Sequence, residues 1–127
     1  MTPLTKKSFI VSTVLASILT SCAGSSSSKP TIPVAADVVV TAEGGLHLDQ
    51  TSYAASSGEI SIAYVNDDTI RHTLVISKDG TKVGGFELKV NQKGDVDFGS
   101  ANLVPGNYVL LCTVPGHQNM NAGFTVS

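Results

Sequence analysis

Three donor side chains fall inside nine residues of this chain: Cys112, His117 and Met120, in the run Cys112-Thr113-Val114-Pro115-Gly116-His117-Gln118-Asn119-Met120. A Pro-Gly pair is turn chemistry, because proline presets one backbone angle and glycine accepts the positive φ that follows. A loop that tight can aim a thiolate, an imidazole and a thioether at one point. Soft sulfur together with imidazole suits copper, which accepts a trigonal plane of two His and one Cys with a weak axial Met. The run lacks one imidazole. His72, in Asn66-Asp67-Asp68-Thr69-Ile70-Arg71-His72-Thr73-Leu74-Val75-Ile76, is the candidate donor. Zinc fits this set less well, since a structural zinc site takes a closed tetrahedron of Cys and His and Met is a poor ligand for it.

Such a loop needs rigid elements on either side. The pattern between residues 36 and 127 is that of short strands separated by Gly, Pro and Asn/Asp turns. In Glu59 to Val65, residues Ile60, Ile62 and Tyr64 alternate with Glu59, Ser61 and Ala63, as in a half-buried strand. His72 opens a strand on which Leu74 and Ile76 share its face. Phe86, Leu88 and Val90 form another face, and Val96 with Phe98 a further inward pair. Tyr108, Leu110 and Cys112 lie on one face, so the thiol points with core side chains, and Gly123 to Val126 is the last strand. No helical periodicity extends beyond a turn. The expected fold is all-β, a sandwich or barrel of seven or eight strands.

The first 35 residues read differently. Lys6 and Lys7 precede an apolar run, Phe9 to Leu19, too short to span a bilayer comfortably. Leu19-Thr20-Ser21-Cys22 then has the form of a bacterial lipobox. Residues 1–21 are expected to be a lipoprotein signal peptide, and Cys22 the lipidated residue; the plainer reading is an ordinary export signal with an incidental Cys. Residues 22–35 are rich in Ser and Gly and form a flexible tether, and residues 36–127 form the domain. With Cys22 carrying lipid, Cys112 is the single remaining thiol in an oxidising compartment, a residue that metal ligation would occupy and protect. Without Lys6 and Lys7, six basic residues face ten acidic ones, a net charge of −4. That argues against nucleic acid as a partner, which wants a basic stripe.

His72 after a strand ending in Asn66, then Pro105-Gly106-Asn107-Tyr108, then Cys112-x-x-Pro115-Gly116-His117 with Met120 close behind, resembles the cupredoxins of the plastocyanin, auracyanin and amicyanin type. The resemblance covers about residues 36 to 127. It implies a Greek-key β-sandwich, one copper ion cycling between Cu(I) and Cu(II), and His72, Cys112, His117 and Met120 as ligands. It also implies that Thr73, where relatives often have Asn, sets its backbone amide against the thiolate sulfur. Thr113 follows the thiolate, and Asn66 braces the turn before His72. Many relatives with four residues between Cys and His carry the Met five residues after the His. Here Met120 is three after His117, a spacing closer to the amicyanin type. Gln118 or a backbone carbonyl therefore stays open as the axial donor, and Met120 as a core residue.

The implied function is single-electron transfer rather than enzymatic turnover, by a monomer tethered by lipid to a bacterial membrane and facing the periplasm or exterior. Redox proteins would dock transiently near His117. The alternative is a copper chaperone or delivery protein. His47 is read as an ordinary polar strand residue.

Overall fold

The computed structural model describes Ile32 and residues 36–127. The expected signal peptide, Cys22 and most of the tether lie outside the described residues.

All regular structure among the described residues is strand. In chain order these are β1 (Val38–Glu43), β2 (His47–Leu48), β3 (Ser52–Ala55), β4 (Gly58–Asn66), β5 (His72–Lys78), β6 (Thr81–Lys82), β7 (Leu88–Val90), β8 (Val96–Leu103), β9 (Gly106–Leu111) and β10 (Asn121–Val126). One sheet runs β2-β1-β4-β8. The other runs β3-β10-β9-β5-β6, with β7 also paired to β5. Pairing is antiparallel except for β1 with β4 and β10 with β3, which are parallel.

The inner faces meet in one apolar cluster. Val40, Ile60, Ile62 and Tyr64 come from the first sheet, and Leu74, Ile76, Leu110 and Phe124 from the second. Each set has the period of two that puts alternate residues on one face. The architecture is thus the expected all-β sandwich, with more strand segments than expected because β2 and β6 are only two residues long and β3 is short.

Two local expectations are corrected. The strand expected to turn Val96 and Phe98 inward runs from Val96 to Leu103, and its inward residues are the odd-numbered ones. Ala101 and Leu103 are buried, whereas Phe98 is 44% exposed. The phase is set by Gly99 and Asp97. A Cβ on Gly99 would sit 3.0 Å from Leu88 Cδ2, a contact tight enough to push that side chain aside, so glycine lets β8 lie close against β7. Asp97 accepts the backbone N–H of Lys89 at 2.8 Å, tying the same two strands. Neither residue resembles a core residue in sequence. The strand predicted from Phe86 starts only at Leu88, though Phe86, Leu88 and Val90 are all buried as expected.

Candidate metal centre

His72 and Cys112 are brought together by the antiparallel pairing of β5 with β9, in which Val75 faces Leu111 and Ile76 faces Leu110. His72 is the first residue of β5, and Cys112 directly follows β9. Tyr108 fixes the start of β9: its hydroxyl donates to the Val104 carbonyl at 2.8 Å across the Pro105-Gly106 turn, and its ring lies 6.4 Å from that of Phe124.

The β9–β10 ladder continues one step beyond the strands. The Cys112 N–H donates to the Met120 carbonyl at 3.0 Å, so Cys112 and Met120 are cross-strand neighbours and residues 113–119 are the loop of a hairpin. Inside the loop, the His117 N–H donates to Val114 O at 3.0 Å, with Pro115 and Gly116 between them and Gly116 at φ 91°. That is a turn with Pro at its second position and a positive-φ Gly at its third, the type II arrangement. A second turn follows at once, the Met120 N–H donating to His117 O at 2.9 Å. The two turns carry His117 back over Cys112.

The result is a convergence of donors. One ligating atom each from His72, Cys112 and His117 lies within 4.8 Å of the other two. Cys112 Sγ is 3.6 Å from His117 Nδ1, and the two rings are 5.1 Å apart at an angle of 49°. His72 is 1% exposed, Cys112 3% and His117 9%. Met120 is fully buried beside them in the same hairpin, whereas Gln118 is exposed. His47 is separate: it is surface-exposed and pairs with Glu43 at 3.3 Å.

The sulfur has close polar neighbours. The Thr73 N–H donates to Cys112 Sγ at 3.4 Å. The Thr73 hydroxyl lies 3.7 Å from the same sulfur, accepts the Thr113 N–H at 2.9 Å and is 2.8 Å from Thr113 Oγ1. Thr73 thus fastens the strand bearing His72 to the strand end bearing Cys112. Asn66, 1% exposed, holds the approach to His72. Its side chain donates to Ile70 O at 2.8 Å and accepts the Asp68 N–H at 2.9 Å.

One contact had no counterpart in the sequence reading. Asp68 Oδ2 is 3.0 Å from His72 Nε2. The other ring nitrogen, Nδ1, is buried with no hydrogen-bond partner. Burial pushes the His72 imidazole below its ordinary pKa, against the upward pull of Asp68. The Thr69 N–H, and after it His72, holds the Asp68 carboxyl below the usual carboxylate range. The available signal was an acid four residues before the expected ligand, a spacing with no fixed meaning outside a helix.

No protein-family model and no curated protein sequence matches the chain. Solved structures do. Dithionite-reduced auracyanin from the photosynthetic bacterium Roseiflexus castenholzii superposes with a TM-score of 0.63 at 20% identity, covering 71% of this chain and 95% of that one. An azurin from the methylotroph Methylomonas sp. strain J gives 0.60 at 12% identity, over 73% and 98%. A purple cupredoxin from Nitrosopumilus maritimus gives 0.57 at 19% identity, over 72% and 100%. This chain has the cupredoxin-like β-sandwich fold that those structures share.

Proposed function

We propose that this protein is a one-electron carrier in which His72, Cys112 and His117 would hold a single copper ion, with Met120 as a weaker fourth donor. The observation that carries the reading is the convergence of one thiol and two imidazoles at a buried point, where His72 keeps a ring nitrogen without a partner. A buried polar atom left unpaired is costly, and a metal ion is the partner that this donor set suits. When bound, copper supplies a Cu(I)/Cu(II) couple.

The chain's own residues do the rest. Strands β5 and β9 and the hairpin hold the donors in place, so little rearrangement accompanies a change of charge. The N–H of Thr73 points at the sulfur and draws charge from it, which raises the potential. His117 retains a small exposed edge, flanked by half-buried Val114 and exposed Pro115, and offers the shortest way out for an electron. Redox proteins would dock on that rim weakly and briefly. No substrate is transformed in this reading. A copper delivery protein would favour thioether-rich sites, and this chain has one Met besides Met1.

Adding Cu(II) to the purified domain is the test. An intense absorption near about 600 nm, from copper–thiolate charge transfer, is expected. Absence of that band at full copper loading would sink the reading. In the same experiment Met120→Leu should raise the reduction potential, because losing a donor and drying the site disfavours Cu(II), the more highly charged state, more than Cu(I). Met120→Gln should lower it by offering a harder oxygen, with the band kept in both. Equal potentials in all three proteins, measured by voltammetry, would remove Met120 from the donor set.

The membrane part of the proposal rests on Cys22. In this reading the lipid on Cys22 holds the carrier at the outer face of the bacterial membrane. Full-length protein should partition into detergent, and Cys22→Ala should release it to the soluble fraction or block processing. Wild-type protein found wholly soluble, with no lipid mass on its N-terminal residue, would contradict the anchor.

A further inference from the structure

We propose that Asp68 is a positioning residue for the metal centre: its carboxylate fixes the tautomer and orientation of His72, so that Nδ1 faces the site as a bare lone pair. The argument begins with the chemistry of the pair. An ionised carboxylate accepts hydrogen bonds and donates none. At 3.0 Å from Asp68 Oδ2, His72 Nε2 must therefore carry the hydrogen, and Nδ1 of the neutral ring has none. Nδ1 is the atom found buried and unpartnered, and His72 is one of the three residues whose ligating atoms converge.

The carboxylate is itself held at its other oxygen. Asp68 Oδ1 accepts the Thr69 N–H at 2.6 Å, and the Asp68 backbone N–H donates to Asn66 Oδ1 at 2.9 Å. Asn66 in turn grips Ile70 O. The segment from Asn66 to His72 is thus a brace in which each contact sets the next, ending on the imidazole. The Asp68 side chain is only 13% exposed, so water competes little for the contact. Carboxylate partners of this kind orient a ligating His and raise its basicity, and their loss typically costs about 10- to 100-fold in metal affinity.

The experiment reads His72 first without metal. In metal-free wild type at mildly alkaline pH, nitrogen-15 NMR of the imidazoles should show His72 as the Nε2–H tautomer alone. Asp68→Asn is the sharper variant. Its amide oxygen can keep the Thr69 N–H, which leaves the NH₂ group facing His72 Nε2. A donor there demands an acceptor, so the ring should switch to the Nδ1–H tautomer, with a hydrogen where the lone pair had been. Asp68→Ala should leave a mixture of both tautomers.

The second readout, Cu(II) affinity, is the one that rests on the copper reading. It should fall about 10-fold or more in both variants. A wild-type ring in the Nδ1–H form, an unchanged tautomer in Asp68→Asn, or affinity within twofold of wild type would each overturn the proposal. If wild type binds no copper while the tautomers behave as described, the copper reading fails and the positioning role stands. A turn brace without influence on the ring would leave the tautomer unmoved.

Discussion

Cys112→Ser should abolish the intense visible band while leaving the metal-free fold nearly as stable as wild type. The band depends on a covalent sulfur–copper bond, and a serine oxygen is too hard a donor to supply the same charge transfer. The shape change is small. Cys112 is 3% exposed and packs with the apolar core, so a buried hydroxyl there needs partners. The candidates are the Thr73 N–H and His117 Nδ1, 3.4 and 3.6 Å from the sulfur, which a small inward shift would bring within reach of the shorter-bonded serine oxygen. The cost in stability should therefore stay near about 1–2 kcal/mol rather than the larger penalty of an unsatisfied group. Absorption spectra of the two copper-treated proteins and their urea midpoints give both numbers. A variant that keeps the full band would remove Cys112 from the ligand set.

Phe124→Ala should cost about 3–5 kcal/mol, the usual range for truncating a fully buried aromatic residue. Phe124 is 1% exposed in the middle of β10, beside the Tyr108 ring. Against a total stability of about 5–15 kcal/mol, that loss would leave the domain marginal. Phe98→Ala is the natural control. The same residue type on the outer face of β8, 44% exposed, should change stability by no more than about 0.5 kcal/mol. Guanidinium unfolding of the two variants separates the residues cleanly. Equal losses would mean that the faces of β8 or β10 are assigned wrongly.

That contrast also shows what the sequence could and could not convey. The alternation in β4, β5 and β9 was readable because apolar residues fill the inward positions along the middle of each strand. In β8 the first two inward positions are taken by Asp97 and Gly99, both set against β7 across the core. Strand β3 left little trace, because Ser52-Tyr53-Ala54-Ala55 has small side chains apart from Tyr53 and pairs in parallel with β10, far along the chain. In the candidate site, His72, Cys112, His117 and Met120 were visible because three of them share one short hairpin with a Pro-Gly turn. Asp68 was not, since its meeting with His72 depends on the irregular fold of residues 67–71.

The position of β10 bears on how the molecule is assembled. It lies between β3 and β9, and without it the second sheet is two separate pieces with open edges. Open edges of this kind pair readily with other chains. Its parallel partner β3 begins at Ser52, so a long loop must close before those hydrogen bonds can form. Contacts so distant along the chain form slowly. The hairpin that sets the N–H of Cys112 on the carbonyl of Met120 closes over residues 113–119 alone and needs no such search. Cys112 and Met120 are thus set side by side by a local event, while the far edge of β10 stays open to other chains until the distant β3 covers it.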